Sequence, residues 1–406
     1  MFAALARDES VLEGLADGED VASTVAAMRS LGVAVEHSDC ELVVRGTGPA
    51  GLRSPPTVID CGNSGTTMRL LAGILAGQPF RSTVTGDASL RQRPMRRIAE
   101  PLRTMGARIE TTADGTAPLL IEGRPPLRAI TFRPQVASAQ VKSCVLLAGL
   151  FADGATTVVE PARTRDHTER MLAAMGASVV VAEIDGAHSI TIEPGAALGG
   201  LRGVVPADIS SAAYWLVAAS LLQGSRLTLP GVGLNPTRAA IIDLLVEWGA
   251  SITVEELADW HGEPRGTVSI EGPGDVLSGG SLAGERIPAL IDELPLIAAL
   301  APFTAEGVEI RDAAELRVKE SDRIAAIAAA LRALGVAVDE FPDGLAVRGR
   351  QPVRGGTVDA AGDHRIALAI GAVALAAEAP VTVRNAEAMR VSYPGFPAHV
   401  ERVAVR

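Results

Sequence analysis

The stretch IAAALRALGVAVDE, residues 327–340, changes period in its middle. Ile327, Leu331 and Leu334 recur at helical spacing; after Gly335 the apolar positions alternate through Val336 and Val338. The same construction appears at 24–36 (TVAAMRSLGVAVE), 96–110 (RRIAEPLRTMGARIE), 170–181 (RMLAAMGASVVV) and 241–254 (IIDLLVEWGASITV). Their glycines, Gly32, Gly106, Gly176, Gly249 and Gly335, lie 70 to 86 residues apart, too far for a small solenoid and about the size of a subdomain. Each reads as the residue just past a helix end, where glycine accepts the left-handed backbone that releases the chain into a strand. PGFPAHVERVAVR, 394–406, reads as a sixth helix that ends before its strand, which leaves a six-fold α/β architecture one element short. The opening MFAALARDES, 1–10, resembles the last turns of a helix without its cap or first turn. The expectation is that the absent strand comes from residues upstream of Met1.

A chain of 406 residues, 48% hydrophobic, can bury a large core and suggests two domains. Its net charge of -11 and 3% aromatics argue against a nucleic-acid surface, which needs a basic face and stacking rings. Cys40, Cys61 and Cys144 form no CxxC or other metal-ligand spacing, so neither a disulfide framework nor a zinc site is expected, and a reducing cytoplasm fits. The longest apolar stretches, such as IALAIGAVALAAEAPV from Ile366, carry Gly and Glu and fall short of the roughly 20 residues that span a bilayer. They read as buried helices. The N-terminus has no basic segment and too short an apolar run for a signal peptide.

Several loop-to-helix junctions carry polar or cationic residues: GNSGTTMR (62–69), ASAQVKS (137–143), RTRDHTER (163–170), LIDELP (290–295), KESDR (319–323) and AGDHRIA (361–367). Free backbone N–H groups and the macrodipole favour an anion at such places. Any one is an ordinary N-cap; six in an acidic protein suggest a cleft for a multiply anionic ligand. Of 37 cationic residues only Lys142 and Lys319 are lysines, and a retained lysine suggests a compact charge or a tunable pKa. Ser321 or Asp322 can cap a helix running through Ile324 and Ile327, with Lys319 and Arg323 on one face beside Glu320. The alternative for that pair is surface ion pairing worth a few tenths of a kcal/mol. His167 and His364 each follow an Asp at a helix start and could serve as an acid or base near neutrality or as local hydrogen-bonding groups. Neither a GK[ST] phosphate loop nor a GxGxxG after a strand is present.

GNSGTTMR, LRQRPM (90–95), SAQVKS, TRDHTE, IDELP, RVKESDR and GDHRIA, in this order over nearly the whole chain, resemble the 5-enolpyruvylshikimate 3-phosphate synthases. The resemblance implies a two-domain inside-out α/β barrel of repeated βαβαββ units, the enolpyruvyl transferase fold. The domains would be residues 1–205 and 206–406, with a hinge near Pro206 and the second domain missing its N-terminal strand. It implies transfer of the enolpyruvyl group of phosphoenolpyruvate to the 5-hydroxyl of shikimate 3-phosphate, in a family that glyphosate targets, with no cofactor and no metal. The implied partners are those two small molecules, with no nucleic acid and no membrane, and the implied state is a cytoplasmic monomer. By position, Ser138, Gln140, Arg165, Asp292 and Lys319 would contact shikimate 3-phosphate. Gly65, Arg93, Gln140, Arg323 and Arg365 would contact phosphoenolpyruvate. Asp292 would take the 5-hydroxyl proton, Glu320 would serve the vinyl methylene, and Lys319 would stabilise the tetrahedral intermediate.

Two departures from the family accompany the match. The Pro-Gly-x-Lys-Ser segment that opens its members is absent, because Met1 aligns just after it, and Val391 stands where some members have a lysine. An upstream start is the preferred explanation; a natural truncation or compensation by another group are the others. The related UDP-N-acetylglucosamine transferases carry a Cys in the loop matching DASLRQRPM, 87–95, which has none here. A reading of another class is a non-catalytic relative that keeps the phosphate-binding cleft.

Overall fold

The computed structural model describes residues 1–38, 41–272 and 274–403, so Cys40 lies outside the described residues. The chain divides into two compact units, Met1–Val205 with Asp259–Glu263, and Pro206–Ala258 with Pro264–Arg406. Each has its own apolar core.

The first unit contains two full βαβαββ repeats. One runs through strand Ile59–Asp60, helix Gly65–Ala76, strand Arg81–Thr85, helix Arg96–Thr104, and strands Arg108–Glu110 and Leu119–Glu122; the next runs from Thr131–Phe132 to Ala187–Ile192. In both, the first two strands pair parallel, the fourth lies antiparallel beside the second, and the third takes the edge. The third sheet reaches the same order by placing Arg202–Val204 parallel to Glu9–Glu13. In the second unit the sheet of Gly280–Leu282, Gly307–Ile310, Gly344–Arg348 and Val338–Phe341 repeats it. A three-stranded sheet follows the last three positions of the order, and a single parallel bridge, Ala207 to Val232, stands at the first. The sixth sheet pairs Gly356–Asp359 with Val381–Arg384 and has two strands among the described residues, followed by helix Phe396–Val403.

The two helices of a repeat differ in kind. The first is apolar nearly all round and therefore buried: ten of twelve residues in Gly65–Ala76, nine of eleven in Ala139–Gly149 and all seven in Leu294–Leu300 are buried. Each buried Leu or Ile contributes roughly 1.5–3 kcal/mol. The exceptions in Gly65–Ala76 are Thr66 and Arg69 and in Ala139–Gly149 are Ala139 and Gln140, all near the N-terminus. In five of the repeats the second helix ends, as its period change implies, one cap residue before a glycine. Gly32, Gly106, Gly176, Gly249 and Gly335 have φ of +86°, +103°, +97°, +101° and +85°.

The apolar stretch from Ile366 belongs to the buried helix His364–Val373 and the 3₁₀ turn Ala374–Ala376. No helix among the described residues is long and apolar enough to cross a membrane, and none of the described His, Cys, Asp and Glu form a group of three that could hold a metal. Cys61 and Cys144 are buried free thiols, which burial pushes up to about 12.

At Gly249 an added Cβ would meet nothing within 4 Å. Gly249→Ala should therefore cost about 1–2 kcal/mol from backbone strain alone, read as a lower urea midpoint; an unchanged midpoint would refute the role of the left-handed turn.

Candidate functional site

In the first unit the polar groups cluster at the starts of buried helices. Ser64 caps Gly65–Ala76, its hydroxyl accepting from Thr67 N at 3.2 Å. Ser138 caps Ala139–Gly149, accepting from Val141 N at 3.4 Å. Gln140, two residues into that helix, joins the two starts: its Oε1 accepts from Arg69 Nη1 at 2.6 Å and its Nε2 donates to Thr66 Oγ1 at 2.8 Å. A Cβ on Gly65 would lie 2.7 Å from Arg69 Nη1 and 3.2 Å from Arg93 Nη1, so two guanidinium groups converge on the place glycine leaves open. Arg93, buried, donates to Asn63 Oδ1 at 2.6 Å and Ser89 Oγ at 3.3 Å. Gly65, Arg93 and Gln140 are thus brought together, with Ser138 capping the helix that carries Gln140. Arg165 is half-buried in the loop before helix His167–Ala174.

The second unit assembles the other candidates around Arg323, whose side chain is 1% exposed. Its Nε donates to Asp363 Oδ2 at 2.9 Å, its Nη1 lies 3.3 Å from Asp292 Oδ1, and its Nη2 meets Glu320 Oε2. Burial alone would weaken this cation's hold on its proton, but Glu320 and then Asp363 push it up. Arg365 donates to Asp292 O at 3.0 Å and lies 3.4 Å from Asp292 Oδ2. Burial pulls the Lys319 ammonium below its ordinary value against the opposing charge of Asp292. Asp292, Lys319, Glu320, Arg323 and Arg365 therefore form one electrostatic group.

Two expectations are corrected. Lys319 does not share a helical face with Arg323: it closes the 3₁₀ turn Ala314–Val318, the helix starts at Arg323, and Asp322 is its cap, accepting from Ala325 N at 3.0 Å. His364 is not poised near neutrality: burial, then the adjacent Arg365 charge, lower it to about 4. His167 hydrogen-bonds Glu263, Nδ1 to Oε1 at 2.8 Å.

The residues that sequence reasoning missed are the partners of the cations. Arg69 lies inside GNSGTTMR and Asp363 inside GDHRIA. Arg238, nearly buried, donates from Nη1 to Glu293 Oε2 at 2.8 Å and from Nη2 to Ser210 Oγ, while Glu293 Oε1 lies 3.5 Å from Arg365 Nη1. Arg238 thus balances a carboxylate that would otherwise draw Arg365 to itself. Its signal was available: NPTR, 235–238, is another loop-to-helix junction, with Asn235 Oδ1 accepting from Thr237 N at 2.8 Å.

Arg238→Met should cost about 3 kcal/mol, because removing one partner of a buried pair strands the other. Arg238→Met/Glu293→Gln should recover most of it; denaturant titrations showing the single and double variants equally weak would refute the pairing. Between pH 6.5 and about 4 the unfolded chain holds a proton on His364 that the folded chain does not, so stability falls as pH falls through this window, by about 1.4 kcal/mol per unit. His364→Gln should remove that contribution from the pH dependence of unfolding; an unaltered slope would refute it.

The sequence matches the family described as EPSP synthase (3-phosphoshikimate 1-carboxyvinyltransferase) over residues 1–400. A 3-phosphoshikimate 1-carboxyvinyltransferase of Synechococcus sp. (strain JA-3-3Ab) is 50% identical over 99% of this chain and 90% of its own length. One from Pelotomaculum thermopropionicum is 50% identical over 100% of this chain and 93% of its own length. Among solved structures, EPSP synthase from Acinetobacter baumannii superposes with a TM-score of 0.86 at 41% identity, covering 100% of this chain and 92% of that one. The enolpyruvyl transferase NikO from Streptomyces tendae, 19% identical, shares the fold with a TM-score of 0.79 over 99% of this chain and 90% of its own. With the cationic helix starts held in an enolpyruvyl transferase fold and half of the residues shared with curated relatives over the full length, the chain belongs to the EPSP synthase family.

Proposed function

We propose specific roles for the clustered residues in the family's reaction, the transfer of the enolpyruvyl group of phosphoenolpyruvate to the 5-hydroxyl of shikimate 3-phosphate. The hydroxyl oxygen bonds to C2 of phosphoenolpyruvate while its proton leaves and another reaches the C3 methylene. The resulting tetrahedral intermediate then loses a C3 proton and expels inorganic phosphate. Asp292 takes the hydroxyl proton. Glu320 delivers the proton to C3 and recovers it on elimination. Lys319, Arg323 and Arg365 meet the anionic groups, with Gly65, Arg93 and Gln140 completing the phosphoenolpyruvate contacts and Ser138, Gln140 and Arg165 those to shikimate 3-phosphate.

The observation that carries this reading is the single buried guanidinium of Arg323 in reach of both proposed proton carriers, Asp292 and Glu320. A carboxylate beside cations has burial and charge acting on its proton affinity in opposite senses, which suits a group that must both take and give a proton. The two units are read as the two enolpyruvyl transferase domains, 1–205 and 206–406. A cytoplasmic monomer acting on small anions, without nucleic acid or a membrane, is consistent with the acidic, aromatic-poor composition.

The test is phosphate release with each substrate alone and with both. Release only with both is expected, and Lys319→Met should lower turnover by 100-fold or more with unfolding unchanged. Turnover unaffected by Lys319→Met would overturn its role. Thermal protection by shikimate 3-phosphate with no phosphate release from the unsubstituted chain would make it a binding protein.

A further inference from the structure

The second of the chain's two lysines is absent from the roles above, yet it is fully buried. Lys142 sits one turn into helix Ala139–Gly149, its amide bonded to Ser138 O at 3.0 Å. Its Nζ meets Glu169 Oε1 at 2.7 Å, Glu160 Oε2 at 3.2 Å and the carbonyl of Thr164 at 3.5 Å. Those three residues mark the start, the middle and the far side of one loop: Glu160 follows strand Thr156–Val159, Thr164 precedes Arg165, and Glu169 lies in the first turn of helix His167–Ala174. Thr164 Oγ1 donates to Glu160 Oε1, and His188 Nδ1 lies 3.0 Å from Glu160 Oε2. Ser143, next to Lys142, bonds Thr168 through their hydroxyls at 2.6 Å. One helical turn therefore fastens the whole of residues 160–169.

A single ammonium suits this place. It presents three donors from one point, whereas a planar guanidinium would need acceptors spread along its fork. The other 35 cations of the chain are arginines, so the exception coincides with a three-acceptor pocket. The ammonium also opposes the burial that pushes the Glu169 carboxyl up.

We propose that Lys142 is a positioning residue for substrate binding, holding the Glu160–Asp166 loop against the helix that starts at Ser138 so that Arg165 meets shikimate 3-phosphate beside Ser138 and Gln140. This rests on the role given to Arg165 above. Lys142 touches neither substrate; it acts through the loop.

The test is steady-state kinetics on Lys142→Met, on Lys142→Met/Glu169→Gln, which neutralises a carboxylate left without its cation, on Arg165→Ala, and on Arg165→Ala combined with each. Lys142→Met/Glu169→Gln should raise KM for shikimate 3-phosphate tenfold or more and leave KM for phosphoenolpyruvate within twofold. In the Arg165→Ala background it should add no further rise, because a residue that works through Arg165 has nothing left to position. A folded double variant with unchanged KM for shikimate 3-phosphate, an equal rise in both KM values, or effects that multiply with Arg165→Ala would each overturn the proposal. Failure of both Lys142 variants to fold would make it a folding residue and overturn it as well. Arg165→Ala with an unchanged KM for shikimate 3-phosphate would remove the assignment of Arg165 itself, and the positioning role with it.

Discussion

A guanidinium cannot be left uncompensated in an apolar core, and among the described residues Arg323 is the largest of the fully buried side chains. Its charge is tolerated because three carboxylates from three parts of the second unit converge on it: Asp292 before helix Leu294–Leu300, Glu320 in the turn before its own helix, and Asp363 at the cap of helix His364–Val373. Burial alone would raise the Asp363 carboxyl, but the charges around it, Arg323 first, hold it below the ordinary carboxylate value. Removing any one member would leave the others with unbalanced charge, so the group is held as a unit. The same constraint that makes it costly to disturb fixes the distances among the groups proposed to move protons.

The repeat explains why such charges can be gathered at all. In each unit the first helix of a repeat is the buried one, and a buried helix must satisfy the N–H groups of its first turn. Ser64, Ser138 and Asp363 do so with side chains, and Asp208 does so for helix Ile209–Leu221 through Ser210 N and Ser211 N. Polar residues are thereby required at the one end of an otherwise apolar element. Within the second unit this brings Ser210, Glu293 and Arg365 into contact from three helix starts. The attraction that such ends exert on anions in general is a by-product of solving the capping problem several times with the same topology.

This division also determines what could be read from the residues alone. The change of period at Gly335 and its four counterparts is local, and the positive φ at all five follows from it. The helix starts were legible for the same reason: a cap and its N–H lie two or three residues apart. The pairings were not. Arg323 finds Asp292 and Asp363 at separations of 31 and 40 residues, Arg69 finds Gln140 at 71, and Arg365 finds Ser210 at 155. Spacing along a helix or strand carries no information about such contacts. Arg238 was overlooked because its charge is spent on Glu293 and it has no companion in its own motif. The two corrected expectations have the same origin: the depression of His364 depends on burial, and the position of Lys319 on a 3₁₀ turn that it closes ahead of the helix cap at Asp322.

The two lysines stand in different surroundings. Lys142 has Glu160, Glu169 and Thr164 O within 3.5 Å of its one nitrogen, while Lys319 feels the opposing charges of Asp292, Glu315 and Glu320. A compact ammonium can serve converging oxygens from a single centre, whereas arginine is better suited to one flat, paired partner, as Arg286 is to Glu247 through Nη1 to Oε1 at 3.2 Å and Nη2 to Oε2 at 2.7 Å. Arginines also meet converging acceptors: Arg323 aims Nε, Nη1 and Nη2 at Asp363, Asp292 and Glu320, and Arg317 reaches Asp322, Glu340 and the carbonyls of Pro342 and Phe341. Such arrangements use the full width of the fork. Around Lys142 the three oxygens lie about a single nitrogen, a place the fork does not match, and there the chain has kept lysine.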